Sequence, residues 1–495
     1  MIVAVLVAGC LVPVWYVVQS AIALGPDELA RILMRPYIAR LLTDTVLLVV
    51  ISLPCTIVLA VGGAWLVERT ALPARRVLAV ALAAPLAIPA FVASYGWASA
   101  MPGISGLWGG VLVATLAYYP LVYLPVLAAL RGLDPALEET ARSLGMGSWG
   151  VFFRVVLPQL RLALLGGALV VGLHLLAEYG AFAFLRFDTF TTAIVVAYQS
   201  TFAGPNAAGL GIVLTTLTVG LLAAEAAARG RLPYARVGGG SAHPPTRLSL
   251  GRWMPVALGA VLAVLTAGVV VPLTTVVRWL TAAQPADYAS LGPAAAQTIA
   301  LAVAGALCAI AVALPIAWLS VRYPGRGARI LEGAAYLAGS LPAIIVALAL
   351  VVVSLRLVPA TYQTVVTVTA AYVILFLPRA LVTIRAGLAQ VPESLEQAAR
   401  SLGRSPAVAR LVITMPLLLP SLAAAAALVG LGAANELTAT LLLAPTGTRT
   451  IATEFWSAAS SLDYSAAAPS ALALVLLSAP AVALMFAHAT RRSPR

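Results

Sequence analysis

The chain has 495 residues, 62% of them hydrophobic and only 9% charged, with a mean hydropathy of +1.02. That is too little charge to cover a water-soluble fold of this size. The net charge of +13 does not point to nucleic acid either, because in a membrane chain arginines gather in loops to fix topology.

A bilayer core takes about 20 apolar residues to cross, and such runs recur along the whole chain. They fall near 1–24, 41–67, 77–100, 106–130, 161–185 and 208–228, then near 253–280, 294–320, 330–354, 364–388, 416–443 and 468–489. The expected fold is all-α, a polytopic bundle of about twelve transmembrane helices in two tandem groups of six. The halves are residues 1–228 and 253–495. Between them, 229–252 carries Gly238-Gly239-Gly240, Pro244-Pro245 and five arginines, the make-up of a flexible cytoplasmic linker. Val7-Ala8-Gly9-Cys10 has the form of a lipoprotein cleavage site, but no basic segment precedes it and the apolar run continues, so a first transmembrane helix is expected. Cys10, Cys55 and Cys308 all lie in apolar runs without a Cys-x-x-Cys pair, which argues against disulfides or zinc. With both termini inside, 23 of the 30 arginines, Arg379 and Arg385 among them, fall on the cytoplasmic side, as the positive-inside rule requires.

One segment occurs twice. Leu137-Glu138-Glu139-Thr140-Ala141-Arg142-Ser143-Leu144-Gly145 matches Leu395-Glu396-Gln397-Ala398-Ala399-Arg400-Ser401-Leu402-Gly403 at an offset of 258 residues. The same offset pairs Pro158 with Pro416, Glu178 with Glu436 and Thr192 with Thr450. Ala64-Trp65-Leu66 matches Ala317-Trp318-Leu319 at a slightly different one. An even number of spans per half makes the duplication one of equal orientation. Each copy reads as a short surface helix. Asp134-Pro135 supplies a cap and a first-turn proline in the first, and Pro392 opens the second. Leu137, Ala141 and Leu144 form an apolar stripe, repeated by Leu395, Ala399 and Leu402. Glu138 and Arg142, like Glu396 and Arg400, are four apart in the favourable order. Gly145 and Gly403 suit a left-handed C-terminal stop. Two near-identical amphipathic loops at equivalent places, 131–160 and 389–416, fit two copies of one cytoplasmic partner better than chance contact with headgroups.

Leu137–Pro158 resembles the "EAA" loop of binding-protein-dependent ABC importer permeases, and Leu395–Pro416 resembles it again. The pattern of Glu-Ala-Ala, a later glycine and Leu-Pro stands here as Glu138/Glu139-Thr140-Ala141, Gly145 and Leu157-Pro158. Its second copy is Glu396-Gln397-Ala398-Ala399, Gly403 and Met415-Pro416. The resemblance implies that each loop is a coupling helix seated on one of two copies of an ABC ATPase subunit. It also implies a substrate-binding protein on the outer side and residence in the bacterial inner membrane. The chain itself is expected not to be an enzyme and to bind no cofactor. With no lysine it has no Gly-x-x-x-x-Gly-Lys-Ser/Thr loop, so ATP would be used by the partner. Glu178-Tyr179-Gly180 with Phe187–Ile194, and Asn435-Glu436-Leu437-Thr438-Ala439-Thr440 with the leucines that follow, look like the ferric-iron group. Asn435 and Thr438 depart from that group's lysine and proline. A permease for thiamine or another small solute is the alternative within the class.

Glu178 and Glu436 are carboxylates within spans, where charge is expensive and faces protein or water. Glu178 lies 17 residues beyond Arg161, roughly 26 Å at the helical rise, so both carboxylates, with Tyr179, are candidates to ring the outer mouth of a pathway. His174, and Tyr118, Tyr119 and Tyr123, read better as packing residues than as ligands, and no metal site is expected. An ion-gradient transporter would explain the carboxylates but not the paired loops. A membrane-embedded enzyme would need a cluster of catalytic side chains that three scattered histidines do not supply.

Overall fold

The computed structural model describes residues 2–133, 135–201, 204–229, 247–282 and 290–490. In hydrocarbon every backbone N–H and C=O must be paired within the segment, so apolar runs become helices. Among the described residues eight helices are long and apolar enough to span alone: Pro36–Arg69, Gly106–Gly132, Asn206–Ala228, Gly251–Leu280, Leu291–Arg322, Val365–Ala389, Pro406–Ala434 and Tyr464–Ala487. Four further pairs are apolar enough together but bent at a break: Val3–Cys10 with Val12–Leu33, Arg75–Ala87 with Ala90–Ala100, Ser148–Gln159 with Arg161–Ala177, and Arg326–Ser340 with Ala343–Arg356. Counting each bent pair as one span gives twelve, the number read from hydropathy; the described residues form a multi-pass, all-helical membrane protein. Most of the expected linker, 230–246, and the expected cap Asp134 lie outside the described residues.

Proline sets the bends. The pairs at 75–100 and 326–356 turn by 91° and 100°, where Pro89 and Pro342 precede the second helix of each pair. A proline pushes the residue before it into extended backbone; Ile88 (φ −101°, ψ 110°) and Leu341 (φ −71°, ψ 144°) adopt it. The runs 77–100 and 330–354 are therefore not straight rods. A second proline effect recurs three times: π-helical turns at Phe152–Val156, Thr266–Val270 and Arg410–Thr414 come just before Pro158, Pro272 and Pro416. The pyrrolidine ring clashes with the carbonyl four residues back, and a widened turn relieves it.

The chain forms two compact units that divide it differently from the tandem halves. One comprises Met34–Ala193, Thr216–Ala283 and Val475–Arg495; the other comprises Met1–Leu33, Ile194–Thr215 and Gln284–Leu474. Each unit thus takes the opening helix of the other half. In the first unit, Trp97 Nε1 donates to the Ala267 carbonyl at 3.2 Å and Trp279 Nε1 to Ser99 Oγ at 2.6 Å. A Cβ on Gly96 would lie 2.7 Å from Pro272 Cα, so the helices meet backbone to backbone. Gly96→Ala is expected to destabilise the chain by about 1–3 kcal/mol through overpacking. Thermal unfolding of the purified protein in detergent reads this, with Gly62→Ala as control: nothing lies within 4 Å of that position, and the control should not lower the midpoint. In the second unit Val12–Leu33 packs along Ala343–Arg356.

Candidate functional site

The first repeated loop begins with the helix Pro135–Ser143. It ends as its glycine predicts. Gly145 is left-handed (φ 84°), its N–H donates to Arg142 O at 2.9 Å, and the Met146 N–H donates to Ala141 O at 3.0 Å. The second loop, Glu393–Ser401, closes the same way. Gly403 has φ 85°, its N–H donates to Arg400 O at 3.0 Å, and Arg404 N–H to Ala399 O at 3.1 Å. Both are Schellman stops.

The faces differ from the expected stripe. Ala141 and Ala399 are buried, whereas Leu137 (43% exposed), Leu144 (77%), Leu395 (42%) and Leu402 (84%) point outward. The inward face is set by Glu138 and Ala141, three apart and so on one side of the helix, where alanine permits close approach. Glu139 is half-buried; Ala398 and Arg400 are exposed.

Glu138 is 3% exposed, and its carboxylate turns back into its own unit. Arg69 Nη2, at the end of Pro36–Arg69, lies 2.9 Å from Glu138 Oε1, with both side chains almost fully buried. The predicted neighbour Arg142 approaches the other oxygen at 3.6 Å. The same Arg69 nitrogen donates to the Leu130 carbonyl at 3.0 Å, so one guanidinium ties two spans to the loop. The backbone of Arg69 is engaged too. Leu248 N–H donates to Arg69 O at 2.9 Å, and Ala71 N–H donates to Leu248 O at 3.0 Å, forming an isolated parallel bridge.

The second unit repeats this clamp more loosely. Arg322 lies 3.9 Å from Glu396 and 3.3 Å from Glu393, and donates to the Val391 carbonyl at 2.9 Å. The Thr414 hydroxyl donates to Glu396. Glu396 therefore answers Arg322 and Thr414; among the described residues the expected Glu396–Arg400 ion pair does not form. The repeated tryptophans sit beside both clamps. Trp65 meets Phe152 edge to face at 4.8 Å, while the guanidinium groups of Arg322 and Arg410 lie 5.7 and 5.6 Å from the Trp318 ring.

The two span carboxylates occupy equivalent breaks. Glu178 follows the helix Arg161–Ala177, and its Oε1 accepts the Ala181 N–H at 2.9 Å while Oε2 accepts the Tyr118 hydroxyl at 2.5 Å. Glu436 follows Met415–Ala434 and accepts the Ala439 N–H at 2.9 Å through Oε1. Each carboxylate thus starts the short helix after the break, Gly180–Phe184 or Thr438–Leu443. The sequence reading missed the Tyr118 partner, 60 residues upstream. Tyr118 also touches His174, ring centroids 5.3 Å apart, and Tyr123 donates to the Ala79 carbonyl at 2.9 Å. Tyr179 is buried. Among the described residues no three His, Cys, Asp or Glu side chains gather as a metal-binding group.

Arg379 and Arg385, counted on the cytoplasmic side, both stand inside the helix Val365–Ala389, which matches the apolar run expected at 364–388.

Comparison with known proteins agrees with this architecture. The family profile described as binding-protein-dependent transport system inner membrane component matches residues 29–229 and again 303–495. The chain is 35% identical over 483 residues, 96% of its length and 95% of the relative's, to the Fe(3+)-transport system permease protein FbpB 2 of Haemophilus influenzae. Shorter matches include the sulfate transport system permease protein CysW of Escherichia coli, 30% identical over 34% of this chain and 64% of that one. The molybdenum transport system permease protein ModB of the same organism is 33% identical over 27% of this chain and 64% of its own. With two copies of the domain in one polypeptide, this chain belongs to the binding-protein-dependent transport system inner membrane components and is a fused, two-half ABC importer permease.

Proposed function

We propose that this permease carries ferric iron inward across the bacterial inner membrane. A binding protein on the outer side would hand over the cargo, and two copies of an ABC ATPase subunit on the cytoplasmic side would drive the cycle. The observation that carries the iron reading is the 35% identity, over nearly the full length of both chains, to a ferric-iron permease of the same fused form. The ATPase reading rests on the loops. Each presents exposed leucines, Leu137 and Leu144 or Leu395 and Leu402, on a helix clamped by ion pairs to its own spans. An exposed apolar contact on a rigid handle is what a partner needs to push a membrane bundle. Both termini lie on the cytoplasmic side in this arrangement. ATP is bound and hydrolysed by the partner, and the chain itself is not an enzyme.

Radiolabelled ferric iron uptake by cells expressing the permease with its ATPase and binding protein tests the cargo. Iron should accumulate, and excess thiamine should not compete; thiamine uptake without iron uptake would overturn the iron assignment. Leu144→Asp with Leu402→Asp tests the docking face. A charge in a fully desolvated contact costs several kcal/mol, so the ATPase subunits should be lost on purification of the complex. Recovery of the usual two copies would remove these loops from the interface.

A further inference from the structure

Arg379 sits 14 residues into Val365–Ala389 and ten from its end, roughly 21 and 15 Å from the two ends at the helical rise. An arginine this deep does not face hydrocarbon; it faces protein or water. Its side chain is exposed, and so are Val382, Ala386 and Ala389 after it on the same face. Ala371–Leu377 before it are buried apart from half-buried Leu375. Arg379 thus marks the point where this helix face passes from closed to open.

The surroundings are built for it. The guanidinium lies 4.9 Å from the centre of the Phe376 ring, and Glu436 is the carboxylate whose charge acts on it. A Cβ on Gly432 would come within 2.6 Å of both Arg379 Nη1 and the Phe376 ring, so the arginine occupies space that only glycine leaves. The repeat makes this specific. At the 258-residue offset, Phe376, Arg379, Gly432 and Glu436 correspond to Tyr118, Leu121, His174 and Glu178. In that copy the tyrosine hydroxyl reaches the glutamate and the histidine ring fills the space. In the second copy the hydroxyl and the imidazole are both gone, and a guanidinium stands in their place. Three coordinated differences at one location mark a site, not drift.

A fixed positive charge on an open face repels a bare trivalent cation but offers a planar fork of donors to carboxylate or phosphate oxygens. Resting on the iron reading, we infer that Arg379 is a specificity-determining residue that contacts an oxyanion ligand accompanying the ferric ion, so that iron crosses this point as an oxyanion complex. The Phe376 ring and the space at Gly432 seat the guanidinium from one side.

The test uses the complete transporter, with ATPase and binding protein, in proteoliposomes. The binding protein is charged with labelled iron together with either labelled citrate or labelled inorganic phosphate. Wild type should move iron together with at least one of the two anions, and the anion that crosses identifies the ligand. Arg379→Gln should lower iron uptake at least tenfold, and Arg379→Lys, which keeps the charge but not the fork, should restore part of it. Should Arg379→Gln fail to assemble because Glu436 loses its counter-charge, the double change Arg379→Gln with Glu436→Gln replaces it, read against Glu436→Gln alone, and should take up at least tenfold less iron than that single variant. Iron crossing with neither anion, or full uptake by the arginine-free variant, overturns this inference alone. Wild-type vesicles that take up no iron overturn the iron reading, and this inference falls with it.

Discussion

Arg69→Met is expected to destabilise the permease by about 3–5 kcal/mol, the penalty for leaving a buried charge without its partner. The partner is Glu138, 2.9 Å away with both side chains almost wholly out of solvent, and the Leu130 carbonyl loses its donor in the same step. Arg142 cannot fully compensate. It stands 3.6 Å from the carboxylate and its own side chain is 28% exposed, so its pull is screened. Removing both charges is different. A buried ion pair replaced by apolar side chains of similar volume is often neutral or stabilising, so Arg69→Met with Glu138→Leu should recover most of the lost unfolding midpoint.

Transport should not recover with it. The clamp joins the loop to two spans, and a loop that can slide against its bundle passes less of the partner's motion to it. The double variant should therefore keep its ATPase subunits and hydrolyse ATP while moving several-fold less cargo per ATP. The second clamp gives an internal comparison. Arg322 stands 3.9 Å from Glu396, and its nearer partner Glu393 is 55% exposed, so solvent screens the pair. Arg322→Met should cost only about 1 kcal/mol. Equal losses at Arg69 and Arg322 would show that the loops are held by something other than these ion pairs.

Much of this was legible in the chain itself. Hydropathy located the eight unbroken spans and the four bent pairs, because in a bilayer the solvent dictates both helix and length. The glycines of the loops were legible as left-handed stops because a Schellman turn needs φ > 0 at one residue, and Gly145 and Gly403 meet that need identically. The direction of Glu138 was not. Its visible neighbour was Arg142, one turn on, whereas its closest partner lies 69 residues upstream on another helix, and nothing local encodes that meeting. The bends at Pro89 and Pro342 were hidden for the opposite reason: the apolar run continues through them, and hydropathy does not register a change of direction. Arg379 was counted on the cytoplasmic side because the positive-inside rule assigns a side without weighing depth. The run at 364–388 already enclosed it, and the helix Val365–Ala389 continues ten residues beyond it.

The carboxylates at the two breaks permit a separation of cap from charge. Glu178→Ala strands the Ala181 N–H and the Tyr118 hydroxyl, about 1–3 kcal/mol for each buried donor left unpaired, and should lower the unfolding midpoint. Glu178→Gln keeps a carbonyl oxygen for Ala181, and its amide can donate to the tyrosine oxygen, so the break should survive. The same holds for Glu436→Gln, whose remaining oxygen still accepts the Ala439 N–H. The paired glutamine variant therefore removes two negative charges while preserving the geometry that they hold. If those charges lower the barrier for a cationic centre on its way through the bundle, a loss of about 1.4 kcal/mol corresponds to a tenfold slower step. Iron uptake per assembled complex should then fall roughly tenfold. Wild-type uptake in that double variant would leave Glu178 and Glu436 with the caps alone, because a group that only starts a helix is indifferent to the exchange of one oxygen for nitrogen, while a group that meets a cation is not.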